Sequence, residues 1–246
     1  MAGHSKWANI RFRKSAQDAK RGKLFTKLLR EVSVATREGG PDPDANPRLR
    51  LAFDRALDAN VPKDTIERAI KRAAGEVALS RIEQVRYEGY GPGGVAVMVD
   101  CMTDNRNRTA ADVRYAFSKA GGNLGTDGSV AYLFNHLGQL SFPAGADEDR
   151  IVEAAVEAGA EDVVTNPDGS VDVLTSVGGF AQVKKTLLEA GLRPEYAEVT
   201  MRPCVNVAVH SEDAQRTVQL FEMLEELDDV QRIYSNADLP EEVVEQ

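Results

Sequence analysis

Ten cations stand within the first 37 residues of this 246-residue chain: Lys6, Arg11, Arg13, Lys14, Lys20, Arg21, Lys23, Lys27, Arg30 and Arg37. Only Asp18 and Glu31 oppose them, so the segment carries +8. The whole chain is at −9, which leaves −17 on residues 38–246. Such polarity does little for a fold and speaks instead to partners. Its chemistry is neutralisation of a polyanion. Trp7, the one tryptophan, and Phe12 are interleaved with these cations. Rings set among Lys and Arg suit stacking on bases between phosphate contacts. Trp7 has a second reading, as an anchor on the protein's own surface.

A second place of interest is Asp104-Asn105-Arg106-Asn107-Arg108-Thr109, where a strand gives way to a helix. The positive end of a helix dipole disfavours cations. Arg106 and Arg108 therefore need an anion there, either from Asp104 and Asp112 or from a phosphate or an acidic partner. The candidate nucleic-acid-binding set is Lys6, Trp7, Arg11, Arg13, Lys14, Lys20, Arg21, Lys23, Lys27, Arg106 and Arg108.

Other chemistry is not encoded in a recognisable pattern. Gly89-Tyr-Gly91-Pro-Gly93-Gly94 spells G-x-G-x-x-G, but a dinucleotide fingerprint must open a helix, and here a second strand follows. A glycine-rich hairpin connection is expected. His4, His136 and His210 have no ligand partner at metal spacing, and no serine sits in a nucleophile elbow. No catalytic residues, metal, cofactor or small-molecule substrate are expected. Cys101 and Cys204 read as free, buried thiols of a reducing compartment. No apolar run approaches the roughly 20 residues that span a bilayer, and the basic start lacks the apolar stretch of a secretory signal. A cytoplasmic protein without a membrane partner is expected.

The elements that must position these residues follow from periodicity. Residues 1–23 have no apolar stripe and read as a flexible basic arm. Residues 24–79 read as a three-helix domain. Phe25, Leu28, Leu29, Val32 and Ala35 line the first helix. Asn46 caps the second, with Pro47 at its first position and Leu49, Phe53, Ala56 and Leu57 inward. Pro62 opens the third, with Ile66, Ala69, Ile70 and Ala73 inward. Residues 82–88 and 94–101 read as strands, 108–120 as a helix, and Ser129–Phe134 as another strand. Residues 135–202 then run β-α-β-β-α-β, a ferredoxin-like order, with Ile151, Val152, Ala155 and Val156 inward on its first helix. Its hairpin turns at Asn166-Pro-Asp-Gly169. The stretch from 80 to 134 lacks a helix and a strand, which 203–238 would supply. The expected fold is α+β: a small helical domain, then two ferredoxin-like α/β domains, 135–202 inserted into 80–134 plus 203–238. Residues 239–246 read as an acidic tail.

Several longer runs carry a resemblance. Ala2-Gly-His-Ser-Lys-Trp-Ala-Asn9, Ala19-Lys-Arg-Gly-Lys23 and Gly40-Pro-Asp-Pro-Asp-Ala-Asn-Pro-Arg-Leu-Arg50 resemble the YebC/PmpR family. So do Tyr87-Glu-Gly-Tyr-Gly-Pro-Gly-Gly94, Thr103-Asp-Asn-Arg-Asn-Arg-Thr109 and Phe117–Ser129. Phe12 departs from the pattern, where a more polar residue is expected. The resemblance implies a three-domain cytoplasmic protein without enzymatic activity. Family members are described as DNA-binding transcriptional regulators, while a mitochondrial relative is a translational activator and some bacterial relatives act at the ribosome. The expected function is thus a non-enzymatic nucleic-acid-binding regulator of gene expression acting on DNA. The alternative is a ribosome-associated translation factor that contacts ribosomal RNA through its basic arm and first helix.

Overall fold

The computed structural model describes residues 18–75 and 82–240, and for residues 18–21 and 211 the backbone alone. Three helices come first: α1 (Asp18–Gly39), α2 (Pro47–Asp58) and α3 (Lys63–Gly75). Leu28, Val32, Ala35, Leu49, Ala52, Ala56, Ile66 and Ile70 close into one small core. Asn46 makes the junction. Its Oδ1 accepts from the Leu49 N–H at 3.0 Å, capping α2, while its Nδ2 donates to the Ala35 and Gly40 carbonyls at the end of α1. One side chain thereby satisfies orphan groups of two helix termini. Gly39 permits the approach, since a Cβ there would lie 2.6 Å from the Asn46 amide. Leu57, expected inward, is 39% exposed. It lies one residue, about 100° of helix, beyond buried Ala56, and Ala52 fills the inner face instead.

The first sheet has the order β3-β1-β2-β9. Its strands are β1 (Glu83–Tyr90), β2 (Ala96–Thr103), β3 (Asn123–Leu124) and β9 (Val230–Ser235), and α4 (Arg106–Lys119) runs between β2 and β3. Every neighbouring pair in it is antiparallel. The central strand β2 is covered on both faces. Val97, Val99 and Cys101 meet α4 and α7 (Ser211–Glu226). Ala96 and Met98 meet Val130, Phe134, Met201 and Tyr234. This explains its near-continuous apolar sequence. The glycine-rich motif turns β1 into β2 through a short 3-10 turn, Pro92–Gly94, with Gly93 and Gly94 at φ 68° and 77°. No helix follows it, so it presents no dinucleotide cradle.

The second sheet comprises β4 (Phe134–Phe142), β5 (Asp162–Thr165), β6 (Val171–Thr175) and β7 (Tyr196–Pro203), in the order β5-β6-β4-β7. Helices α5 (Glu148–Glu157) and α6 (Phe180–Glu189) pack on it through Ile151, Ala155, Val183 and Leu187. The chain then makes the short parallel pair β8 (Val207–Ala208) and β10 (Ala237–Asp238), and places α7 and β9 back on the first sheet. The fold is therefore α+β: a helical domain followed by two ferredoxin-like units, the second inserted in the first.

Two local expectations are corrected. Ser129–Phe134 is not a strand: Ala131–Leu133 forms a 3-10 turn, and the third strand of the first sheet is Asn123–Leu124. The cause is Glu88, whose buried carboxylate accepts from the N–H groups of Gly128, Val130 and Ala131 at 2.8–2.9 Å. Donors that a sheet ladder would use are already satisfied. Val152 and Val156 are 37% and 67% exposed, not inward. They form an i,i+4 ladder one residue round the helix from Ile151 and Ala155, and only the latter pair faces the sheet.

Candidate nucleic-acid interface

Residues 18–23, expected to belong to the flexible basic arm, lie in helix α1. Lys20, Arg21, Lys23 and Lys27 all ride on the helix. Lys6, Trp7, Arg11, Arg13 and Lys14 lie outside the described residues. The helix does not present its cations uniformly to solvent. Lys23 Nζ reaches the Glu226 carboxylate at 2.6 Å. Lys27 Nζ donates to the Glu225 carbonyl at 2.8 Å. Arg30 Nη1 donates to the Met102 and Asp228 carbonyls, both at 3.1 Å, and contacts Asp229 Oδ1 at 3.3 Å. Residues 23, 27 and 30 follow helical spacing, so one face of α1 sits against the C-terminal end of α7. That end carries unpaired carbonyls and the negative pole of its dipole. Lys23, Lys27 and Arg30 thus engage the acidic body itself.

The Asn-Arg-Asn-Arg motif divides in the same way. Asn105 caps α4, its Oδ1 accepting from the Arg108 N–H at 3.1 Å. Arg108 Nη2 donates to Asp104 Oδ1 at 3.0 Å and to Asp229 Oδ2 at 2.7 Å. Thr103 and Thr109 hydroxyls donate to the same Asp229 oxygen at 3.1 and 2.8 Å. Burial opposes ionisation of Asp229. The hydrogen bonds from Arg108, Thr109 and Thr103 outweigh it and hold the carboxyl below its usual range. Of the two aspartates expected beside the arginines, Asp104 is there. The main partner is instead Asp229, 121 residues further along. Arg106 is exposed at the first position of α4, and its carbonyl accepts from the Tyr87 hydroxyl at 3.2 Å. The two arginines do different things: Arg108 clamps the fold and Arg106 faces water.

Residues that periodicity could not single out hold this frame. Glu31 on α1 accepts from Arg55 on α2 at 3.0 Å and from Arg232 on β9 at 2.7 Å. Arg55 also reaches Glu198 on β7 at 3.4 Å. These four residues tie the helical domain to both sheets. Their only signal in the sequence is charge on otherwise apolar faces. Glu88 behaves like Asp229. Burial opposes its ionisation, and the N–H donors of Val130, Gly128 and Ala131 hold it below the usual carboxylate range. Cys101 faces the core, and burial pushes its thiol up to about 12, whereas Cys204, also expected to be buried, is exposed. Among the described residues no group of His, Cys, Asp or Glu is arranged to hold a metal ion, and no helix is long and apolar enough to cross a membrane.

Comparison with known proteins agrees with this architecture. Residues 5–76 match the model of the TACO1/YebC N-terminal domain, and residues 82–237 that of the TACO1/YebC second and third domain. A protein of Methylococcus capsulatus named "Probable transcriptional regulatory protein" is 64% identical over 99% of this chain and 98% of its own length. One of the same name from Pseudomonas syringae pv. syringae is 60% identical over 100% and 99%. The crystal structure of a conserved hypothetical protein from Aquifex aeolicus superposes with a TM-score of 0.81 at 48% identity, covering 93% of this chain and 95% of that one. The chain belongs to the TACO1/YebC family.

Proposed function

We propose that this protein is a non-enzymatic, cytoplasmic regulator of gene expression that binds nucleic acid, as a DNA-binding transcriptional regulator. The carrying observation is the +8 of residues 1–37 set against −17 on the remainder. The names of its relatives support the regulatory reading. Lys6, Trp7, Arg11, Arg13, Lys14, Lys20 and Arg21 are the leading contact residues. Lys23 and Lys27 join them only if the ligand draws them from the end of α7. Arg106, exposed at the start of α4, supplies a further phosphate contact, whereas Arg108 is held by Asp104 and Asp229. Neutralising Lys14, Arg21 and Lys23 together should weaken duplex binding and lower the logarithmic salt slope by about 0.9 per lost phosphate contact. Mobility-shift titration across a salt series reads this. An unchanged slope would mean that these side chains do not touch phosphate.

A second reading is favoured by the inward-turned face of α1. Lys23, Lys27 and Arg30 sit against the body, so the cations of residues 1–37 adjoin a surface that repels phosphate. That arrangement suits docking into a confined RNA site, where one face alone meets phosphate, and so a translation factor on ribosomal RNA. Sedimentation with ribosomes separates the two. Co-migration lost in high salt supports the ribosome, while footprints on a promoter but not on random DNA support transcription.

A further inference from the structure

Among the helices of the two α/β units, α4 is unlike its acidic neighbours. It has four cations against one acid, whereas α5 has four acids against one cation and α7 five against one. Helix α6 has two cations against one acid, and its Lys184 and Lys185 pair with Asp58 and Glu189. Thr109, Val113, Ala116 and Phe117 form the buried stripe of α4. Tyr115 points away from it and is 64% exposed. Lys119 Nζ lies 5.7 Å from the Tyr115 ring centroid, and Arg114 precedes it in an exposed position. Among the described residues neither Arg106 nor Arg114 has an ion-pair partner. The Tyr115 ring thus stands in solvent with a cation over it.

Position adds to this. Arg30 of α1 and Arg108 of α4 bind opposite oxygens of the single carboxylate Asp229. The basic helix of the first domain and the start of α4 therefore meet at one point. From that point α4 extends for 14 residues, about 20 Å.

We propose that the outer face of α4, formed by Arg114, Tyr115 and Lys119, is a second contact surface for an unpaired stretch of nucleic acid. Tyr115 stacks on a base, and the two cations meet flanking phosphates. The inference rests on the nucleic-acid reading above. Single-stranded ligand is favoured over an acidic polypeptide because a stacking ring lies among the cations, and over duplex because a paired base offers no free face.

The test uses the full chain and a fluorescein-labelled, mixed-sequence 20-nucleotide RNA, with binding read by anisotropy across a salt series. Tyr115→Ala should weaken binding roughly tenfold with an unchanged salt slope, and Tyr115→Phe should restore it. Arg114→Gln with Lys119→Gln should lower the slope by about 1.4, at about 0.7 per phosphate on a single strand. Circular dichroism melts should match the parent, because all three side chains are exposed. If the α4 variants bind as the parent does while neutralising Lys14, Arg21 and Lys23 weakens binding, this inference falls and the nucleic-acid reading stands. If the parent binds neither this RNA nor duplex DNA, both fall. Loss of polyglutamate binding with RNA binding intact overturns the proposal in favour of an acidic protein partner.

Discussion

The first turn of α4 and the exposed face of α1 use the same residue types against the same acidic segment, yet they differ in physical weight. At α4, Asp229 is 8% exposed and takes Arg108 and two threonine hydroxyls on one oxygen. At α1, Lys23 and Glu226 have side chains 45% and 67% exposed, and Lys23 Nζ alone makes the contact, to the carboxylate at 2.6 Å and the backbone carbonyl at 3.4 Å. The first centres on a buried carboxylate with two buried threonine donors, although Arg108 itself is 48% exposed. The second is a surface pair that water and salt readily replace. Cations that look equivalent as charge therefore fall into two groups, those that hold the fold and those a ligand can recruit.

The sharpest way to break the contrast is Asp229→Ala. It strands the Thr103 and Thr109 hydroxyls and leaves Arg30 and Arg108 without their shared anion, so it should cost about 3 kcal/mol or more. Urea unfolding followed by far-ultraviolet circular dichroism reads it; a loss under about 1 kcal/mol would show that the clamp is not a stability element. Glu88→Ala should come next, at about 2 kcal/mol, because three backbone N–H groups lose their acceptor at once. Hydrogen exchange should then rise at Gly128, Val130 and Ala131, and unchanged protection there would contradict the assigned role.

Acid sharpens the comparison further. The folded-state pKa values of Asp229 and Glu88 lie below their ordinary 3.8 and 4.5. Their stabilisation is thus fully present above about pH 4.5 and disappears as pH falls through the lower folded values. Unfolding free energies measured from pH 7 to pH 2.5 should decline in that window. Asp229→Asn should flatten part of the decline, and an identical slope in parent and variant would count against the clamp. The smallest effect belongs to Lys23→Gln, under about 1 kcal/mol and vanishing in 0.5 M salt. A salt-resistant loss would move Lys23 into the first group.

Much of the architecture was legible before any coordinates, because the features that encode it are local. Asn46-Pro47, the glycines closing the helices, the Asn166-Pro-Asp-Gly169 turn and the β-α-β-β-α-β order each depend on a few neighbouring residues. The errors share a cause. Leu57, Val152 and Val156 belong to apolar ladders one residue from the buried ones, and a helix with two adjacent ladders does not say which faces the core. Ser129–Phe134 reads as a strand until Glu88, some 40 residues earlier, captures its donors.

What the sequence determined by itself is therefore the periodic elements, their order and the gross polarity of charge, all of which follow from short-range pattern and composition. The tertiary structure alone decided which cations remain available. Arg108 meets Asp229 across 121 residues and Lys27 meets the Glu225 carbonyl across 198, and no local period records either pairing. A buried carboxylate chooses its donors by proximity in three dimensions, and desolvation then makes that choice hard to reverse.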